Sequence, residues 1–511
     1  MFDSLKQSKP MHTVRLPLQV TKADRELFGR RFYALSHVHN VCVRHAQKLL
    51  HALDDNKTYR KFRKEYLSIR DKKDLTPEDK RRKTELSRAM ADIRKDMGLT
   101  DAAFQKYLAV CGRQFKSSLT SQQVQKEASR VYSAVEKVLF GNGKNVRFKK
   151  YRDFSTIGGK SNKNGVVFHK DTRTITWLGE SYPVVMPKDD DSYDYVTESM
   201  DADIAYCELT RLMFASGWRY YVTIVFRGPA PKRVLPVPDK EAGLDPGVST
   251  MAAVSDEEAC LFELAPDVSS YNKRIAELSV RLDRSKRASN PGKYKPDGTI
   301  DKTNHDPWTF SRTYRKTRDY LKSLYRQKAA YIRESHRKQV IRLLAMAKVF
   351  FAETMSWTGL AKRSKQKTKR SGRTCVIRGR SIRLCVRKKR FGRSMNNRAP
   401  GRFLAILDEK ARRYGGGVVW IDTKSFRASQ YDHAADTYTK VPLTQRSKVV
   451  DGQTVQRDLY SAFLLRNTAP TLDHTDREKC LAVFRSFLRV QNACIRDMKA
   501  RGESMPQCFG F

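Results

Sequence analysis

Three acidic residues stand at positions from which a carboxylate could do chemistry. Asp245 ends the apolar stretch AGLD, Glu353 ends the apolar stretch KVFFAE, and Asp458 lies near the start of the helical segment VQRDLYSAF. Each position also has an ordinary structural explanation, namely a turn, a surface acid at a strand end and an acid favoured by a helix dipole. Three carboxylates gathered at one site repel one another unless cations neutralise them, and two divalent ions about 4 Å apart support phosphodiester hydrolysis. Together, the three acids therefore indicate a metal-dependent nuclease site.

The elements around these acids follow a definite order along the chain. Short apolar strands are predicted at residues 242–245, 249–256, 259–265, 348–354 and 417–423. Helical segments separate the later strands, and a last helix is predicted over 455–467. Three strands, a helix, a strand, a helix, a strand and a helix are the element order of an RNase H-like nuclease core. That fold would gather the three acids at one edge of its sheet.

The turn residues after Asp245 suggest how its side chain is presented. Pro246 has no N–H to donate to a neighbouring strand, and Gly247 favours a turn. We therefore predict that regular pairing stops at Asp245. The carboxylate would then point out of the edge of the sheet towards a metal ion.

The charge of the chain points to a polyanionic partner. Lys and Arg number 101 against 55 Asp and Glu, which gives a formal net charge of +46. This excess is larger than solubility requires and is typical of proteins that neutralise phosphates. We find no amphipathic membrane anchor, no apolar run long enough to span a bilayer and no hydrophobic signal region. Nine cysteines without a CxxC pair indicate reduced thiols, so the predicted location is the prokaryotic cytosol or nucleoid.

The N-terminal half divides into a helical part and a strand-rich part. The first strand is predicted at 11–20, and helical periodicity then continues to about residue 140. Two of these helices are rich in Arg and Lys, which fits either a solvated surface or one that faces RNA. Strands of a small sheet or barrel are predicted at 146–154, 165–170, 174–179, 206–214 and 218–228. The Pro-rich stretch GPAPKRVLPVPDKE that follows is the clearest linker in the chain.

The segments around the three acids resemble those of TnpB, the transposon-encoded RNA-guided nucleases, and of the compact type V CRISPR effectors related to them. GLDPG looks like their first RuvC motif, FFAET like the second and QRDLYSAF like the third. The resemblance implies an α+β multidomain protein with a RuvC nuclease domain of RNase H-like fold. The implied domains are a β-rich wedge domain (1–20 and 141–228), a helical recognition lobe (21–140), a linker (229–241), the RuvC domain (242–424 and 455–511) and a small target-binding lobe (425–454).

The resemblance also implies an activity and its partners. A guide RNA would pair with target DNA, the protein would read a short adjacent motif, and Asp245, Glu353 and Asp458 would bind two Mg²⁺ ions and cut DNA, with Mn²⁺ as a substitute. Double-stranded and single-stranded DNA are the implied substrates, and a monomer is favoured. Two alternatives remain open: an RNA-guided DNA-binding repressor that does not cut, and a RuvC-like nuclease that acts without RNA.

One departure from the family concerns zinc. Relatives usually carry two CxxC pairs between the second and third acids, whereas residues 422–458 contain no cysteine. Cys375 and Cys385 lie too early and too far apart to replace them, and a lone His433 favours packing over metal binding. We therefore expect no structural zinc. The lobe would be held by side-chain packing through Tyr431, Tyr438 and the turn Val441-Pro442-Leu443.

The basic stretch at residues 361–393 is the second candidate for nucleic-acid contact. It holds fifteen Lys or Arg and no acid. Such a stretch is either disordered in the free chain or ordered against RNA, a heteroduplex or a DNA strand, and the two are compatible because Arg-rich segments order on binding. The candidate contact residues are Lys362, Arg363, Arg370, Arg373, Arg378, Arg387 and Arg390.

Overall fold

The computed structural model separates into two compact units, which divide between Pro231 and Lys232. The structure describes residues 10–72, 74–188, 193–231, 235–362, 391–442, 444–501, 506 and 509–510, together with the backbone of 190–192, 367–368, 374–377, 380–383 and 385–386. The chain is mixed α+β, as predicted. Among the described residues, no helix combines the length and the apolar character needed to cross a bilayer.

The N-terminal unit combines a four-stranded antiparallel sheet, a three-stranded sheet and a group of helices. In chain order its elements are β1 (Met11–Pro17), α1 (Lys22–Asp55), α2 (Lys57–Arg70), α3 (Pro77–Asp96), α4 (Asp101–Gly112), α5 (Ser121–Leu139), β2 (Thr156–Gly158), β3 (Val167–His169), β4 (Thr174–Trp177), β5 (Glu180–Pro183), α6 (Asp190–Met200), β6 (Ile204–Phe214) and β7 (Gly217–Arg227). The larger sheet has the order β1-β7-β6-β2, and the smaller has the order β3-β4-β5. Strands and helices share one hydrophobic core, in which Phe28 and Phe32 of α1 pack with Trp177 and Phe226.

One strand predicted in this unit is absent. Residues 146–150 have no regular structure, and Tyr151–Asp153 form a single 3₁₀ turn. Side chains of α1 bond to the first part of this segment: Gln47 donates to the carbonyl of Val146 (2.8 Å), and Asn40 donates to the carbonyl of Lys149 (3.0 Å). The buried guanidinium of Arg211 donates to the carbonyl oxygens of Tyr151 (2.7 Å) and Phe154 (2.7 Å). Carbonyl groups held by a side chain are not offered to a neighbouring strand, so this segment follows the surface of α1 instead.

The C-terminal unit is built around a five-stranded sheet. Its elements are β8 (Glu241–Pro246), β9 (Thr250–Val254), β10 (Ala259–Glu263), α7 (Val268–Ala288), α8 (Arg312–Met346), β11 (Val349–Glu353), α9 (Trp357–Ala361), β12 (Lys367–Thr368), β13 (Thr374–Ile377), β14 (Arg380–Arg383), β15 (Cys385–Val386), α10 (Gly392–Arg398), α11 (Pro400–Arg412), β16 (Gly417–Ile421), α12 (Thr423–Phe426), β17 (Tyr431–Asp432), β18 (Thr437–Tyr438), β19 (Ser447–Val450), β20 (Gln453–Gln456), α13 (Arg457–Arg466) and α14 (Arg477–Ala500).

The strand order of this sheet is β10-β9-β8-β11-β16. The first three strands pair antiparallel to one another, whereas β11 and β16 run parallel to β8. Both faces of the sheet are covered, because α8 and α11 pack on one core and α13 and α14 on the other. A sheet buried on both faces explains why its strands read as short apolar runs rather than as alternating patterns.

The end of β8 differs from the prediction. Asp245 pairs with Ala252 and Pro246 with Met251, so pairing with β9 continues beyond the acid. The turn comes one residue later, where the N–H of Gly247 donates to the carbonyl of Thr250 (2.9 Å). Proline is tolerated here because pairing with β11 on the other side reaches only Leu244.

Gly243 allows α13 to lie directly against the central strand. A Cβ atom at this position would overlap the carbonyl oxygen of Ala462 and lie 2.5 Å from the backbone nitrogen of Arg466. No side chain fits between strand and helix at this point. Side chains alternate along a strand, so Gly243 and Asp245 lie on the face that α13 covers, while Ala242 and Leu244 lie on the other.

We predict that Gly243→Ala lowers the free energy of unfolding of the C-terminal unit by about 3 kcal/mol or more, because the methyl group displaces the helix backbone. Gly292→Ala is the matched control, since an added Cβ there lies no closer than 3.9 Å to a neighbouring atom. Urea unfolding of both variants measures the difference. Equal stability of the two variants would show that the strand and the helix do not meet as described.

Candidate active site

The sheet brings two of the three candidate acids to neighbouring strand ends. Ala352 of β11 lies opposite Leu244 of β8, so Glu353 and Asp245 are the next residues on two adjacent parallel strands. Both side chains are half-buried. The carboxyl ends of parallel strands meet at one edge of a sheet, where loops and helix starts leave an accessible crevice.

The third acid reaches the same place through α13. Asp458 lies in the first turn of this helix, and Gln456 caps the helix by accepting from the N–H of Leu459 (2.7 Å). The contact between Gly243 and Ala462 determines where along the strand the helix lies. From Ala462 back to Asp458 is about 6 Å along the helix, and from Gly243 to Asp245 is about 7 Å along the strand. Arg466 at the end of α13 donates to Glu241 at the start of β8 (2.9 Å), so the helix runs antiparallel to the strand and Asp458 lies level with Asp245 on the same face of the sheet.

The three carboxylates interact electrostatically. The pKa of Asp245 is raised well above its usual value, first by loss of solvent and then by repulsion from Asp458 and Glu353. The pKa of Glu353 is also raised, again mainly by burial. A buried carboxylate close to two others gains stability from a bound proton or a cation. A positive charge at this edge of the sheet would therefore be strongly stabilising.

Two hydrogen-bond donors within the chain partly offset the repulsion between the carboxylates. The N–H of Ala428 donates to Oε1 of Glu353 (2.9 Å), which lowers the pKa of that carboxyl against the effect of burial. The guanidinium of Arg457 donates to Oδ1 of Asp458 through Nη2 (2.9 Å), and its charge also lowers the pKa of Asp245. Neither group was predicted from the sequence. The basic residue directly before Asp458 was the one visible signal.

A fourth acid near the site was also missed. Asp422 follows the end of β16, the strand that pairs with β11 up to Glu353, and it contributes to the raised pKa of Glu353. Its side chain is exposed and accepts from the N–H of Lys424 (3.2 Å), where it caps α12. Its position directly after the apolar strand GVVWI was the available signal.

The donor chemistry of these acids suits a hard divalent cation, because all the ligand atoms would be carboxylate oxygens. In the part of the chain that the structure describes, no three Asp, Glu, His or Cys side chains converge on a single point as metal ligands would. Glu353 is directed to Ala428, and Asp458 is directed to Arg457. The arrangement is therefore a cluster of neighbouring carboxylates rather than a formed coordination shell.

The segment 425–454 packs beside α13. Two short hairpins, β17–β18 and β19–β20, account for most of its regular structure. The rings of Tyr431 and Tyr438 lie 4.8 Å apart, and the guanidinium of Arg427 lies 4.5 Å from the ring of Tyr438. Of the predicted turn at 441–443, Leu443 lies outside the described residues.

His433 belongs to the packing of this segment. Its ring is fully buried, its Nδ1 lies 2.7 Å from the hydroxyl of Tyr460, and its ring centroid lies 4.7 Å from that of Phe484. Burial lowers the pKa of His433, so the imidazole is neutral near neutral pH. The side chain thereby links the hairpin to the helix that carries Asp458.

Of the candidate nucleic-acid contacts, the structure describes one. Lys362 is exposed at the end of α9. Six others lie outside the described residues: Arg363, Arg370, Arg373, Arg378, Arg387 and Arg390. The side chains of Cys375 and Cys385 are likewise outside the described part of the chain. Contacts of this basic stretch with nucleic acid remain predictions.

Among the comparisons with known proteins, only the comparison with solved structures finds matches. No protein-family model matches the chain, and no curated protein matches it. A cryo-EM structure of a Cas12f1–sgRNA–target DNA complex has 10% sequence identity and a TM-score of 0.44, covering 89% of this chain and 98% of that chain. A cryo-EM structure of a CRISPR-Cas12f ternary complex has 10% identity and a TM-score of 0.27, covering 88% and 82% respectively.

We predict that Asp245→Asn stabilises the metal-free chain. The raised pKa means that the folded chain keeps this proton to a higher pH than the unfolded chain, so ionisation costs stability as pH rises above about 4. Removing the charge should raise the free energy of unfolding by about 1–3 kcal/mol near neutral pH. The gain should shrink towards pH 4, where the unfolded chain also begins to bind the proton.

Urea unfolding in the presence of a chelator, at about pH 5 and about pH 8, measures this gain. Asp451→Asn is the matched control because Asp451 is exposed and has a positive φ that Asn tolerates. A destabilised Asp245→Asn variant, or a gain that falls as pH rises, would contradict the described repulsion.

Proposed function

We propose that this chain is an RNA-guided DNA endonuclease whose C-terminal unit is an RNase H-like (RuvC) nuclease domain. The observation that carries the proposal is the meeting of Asp245, Glu353 and Asp458 at one edge of the sheet. These residues come from two parallel strands and a helix that are more than a hundred residues apart in sequence. Burial and the proximity of the other two acids raise the pKa of Asp245. Phosphodiester hydrolysis is the chemistry that such a carboxylate cluster serves.

Asp245, Glu353 and Asp458 would hold two Mg²⁺ ions, which Mn²⁺ can replace and which would activate water and stabilise the leaving oxygen. The hydrogen bonds from Ala428 and Arg457 each occupy one carboxylate oxygen, Oε1 of Glu353 and Oδ1 of Asp458, and leave the second oxygen of each carboxylate to bind a metal ion. The guanidinium of Arg457 also donates to the carbonyl of Gln445 (3.2 Å), which holds it beside Asp458, and its planar fork suits a phosphate oxygen.

The guided part of the proposal is supported by charge and by the motif resemblance. A net charge of +46 exceeds what one cutting site needs, and it suits a protein that holds a long RNA together with DNA. In such an assembly base pairing reads the target, whereas the protein reads duplex shape and a short flanking motif. A monomer in the prokaryotic cytosol or nucleoid is the form that we propose.

Two alternatives differ from this proposal in one property each. An RNA-guided repressor would bind its target without cutting, and the presence of all three acids argues against it. A nuclease that acts without RNA would need no basic N-terminal unit of more than two hundred residues. A cutting assay with and without RNA separates all three.

We predict that Asp245→Ala, Glu353→Gln and Asp458→Ala each abolish DNA cutting and leave guided DNA binding intact. Each change removes a metal-binding carboxylate and leaves the basic surface unchanged. Cutting of labelled target DNA in Mg²⁺, together with binding measured in a chelator, separates the two activities. Asp451→Asn should cut normally. A purified Asp245→Ala protein that cuts at the wild-type rate would show that the site is elsewhere.

We predict that the chain purifies with a specific RNA and that changing the guide part of that RNA moves the cut. RNA affinity should fall steeply with added salt, because binding releases counterions from the phosphates. Sequencing of the bound RNA and cutting assays with altered guides test both statements. Full cutting by nucleic-acid-free protein without added RNA would eliminate the guided mechanism.

We also predict that the lobe at 425–454 holds no zinc. A structural zinc needs four ligands, and this lobe offers His433 alone, whose Nδ1 faces Tyr460. Elemental analysis should find no stoichiometric zinc, and a zinc chelator should leave folding unchanged. One zinc per chain, lost on His433→Ala substitution, would refute this.

A further inference from the structure

An open groove on the N-terminal unit is walled by aromatic rings. Its volume is about 570 Å³, and its lining includes Tyr33 of α1, Phe115 of the 3₁₀ turn after α4, and Tyr151. Tyr33 is 56% exposed although its neighbours on the inner face of α1 are buried. The rings of Tyr33 and Tyr151 lie 6.1 Å apart, and His37 lies 4.5 Å from Tyr33. Phe115 and Tyr151 are half-buried, and together with the exposed ring of Tyr33 they form a surface for stacking a planar ligand.

The wall formed by Tyr151 is held in place from behind. The buried guanidinium of Arg211 donates to the hydroxyl of Tyr151 (3.0 Å) and to its carbonyl oxygen (2.7 Å), and it lies 4.5 Å from the centre of the ring. Arg211 is itself enclosed by the rings of Phe32 and Trp218, at 3.9 and 4.3 Å. A ring fixed in this way loses little conformational entropy when a ligand stacks on it.

The floor of the groove depends on a glycine within a helix. Gly29 lies in α1, where glycine weakens the helix relative to alanine. A Cβ atom here would lie 3.5 Å from the hydroxyl of Tyr151, an ordinary contact that would fill part of the groove. Alanine at this position would give a more stable helix, whereas glycine keeps the groove open.

The surroundings of the groove are mainly basic. Arg30 lines it and is exposed, and the chain neighbours of two aromatic walls are exposed lysines, Lys116 after Phe115 and Lys150 before Tyr151. Glu26 is the acid in the lining. Aromatic faces edged by cations bind nucleotides well, since the base stacks and the phosphates meet the charges. An acidic or apolar peptide would leave one of these two features unused.

We propose that this groove stacks an unpaired base of the RNA that the chain binds. The proposal rests on the guided function proposed above and extends it to a specific contact. RNA is the source because recognition of RNA by proteins uses unpaired bases that are splayed from loops and ends and stacked on aromatic side chains. In duplex DNA the bases are already stacked inside the helix. The groove is a base subsite, and Arg30 with the flanking lysines holds the adjoining phosphates.

The test measures binding of the full-length chain to a short fluorescent single-stranded RNA, in comparison with the same RNA carrying an abasic linker. Tyr33→Ala should weaken binding of the intact RNA by about 5- to 150-fold, the equivalent of ~1–3 kcal/mol for stacking one base, and should change abasic RNA much less. Tyr107→Ala is the matched control, because Tyr107 is 42% exposed in the same unit and does not line the groove.

A second variant separates binding from folding. Gly29→Ala should raise the melting temperature, because alanine favours the helix, and should still weaken RNA binding by filling the floor of the groove. RNA that contains 4-thiouridine should crosslink on irradiation to peptides with Tyr33, Phe115 or Tyr151. Crosslinks confined to other regions would overturn the proposal.

An unchanged RNA affinity of Tyr33→Ala, or an equal loss with abasic RNA, would show that no base stacks here. A loss that is larger for single-stranded DNA of the same sequence would assign the groove to DNA and overturn RNA as its source. Because the assay measures binding alone, its failure leaves the nuclease proposal intact, and failure of the cutting tests leaves this result intact.

Discussion

The direct contact between Gly243 and the backbone of Ala462 determines the geometry of the C-terminal unit. It sets the distance of α13 from the central strand and also the position of the helix along that strand. Because Asp458 lies one helical turn before Ala462 and Asp245 lies two residues after Gly243, the contact places both acids at the same height. Leu459 and Phe463 of this helix belong to the hydrophobic core on this face of the sheet.

The consequence of this geometry is an electrostatic cost that folding must overcome. The sheet and the helix bring Asp245, Glu353 and Asp458 together, and burial with mutual repulsion raises the pKa of Asp245. The N–H of Ala428 and the guanidinium of Arg457 offset part of the cost. Sites of chemistry commonly carry perturbed carboxylates of this kind, whereas acids with a purely structural role are usually fully paired.

The sequence was informative about the strands of the C-terminal unit and less so about how they meet. Apolar runs that end in Asp245 and Glu353 are visible because a doubly covered sheet needs continuous apolar strands. The role of Gly243 was not visible, since a close backbone approach depends on a helix more than two hundred residues later. For the same reason the sequence could not show that the carbonyls around Tyr151 bond to Arg211 rather than to a strand. Local pattern indicates local structure, whereas contacts between distant segments can override it.

The most direct test of the carboxylate site is an anomalous-scattering map from crystals of the full-length chain grown or soaked with Mn²⁺. We predict manganese peaks among the carboxylates of Asp245, Glu353 and Asp458. The peaks should be weakened or lost in crystals of Asp245→Asn. Manganese bound at other residues, with no peak at these three carboxylates, would contradict the proposed site.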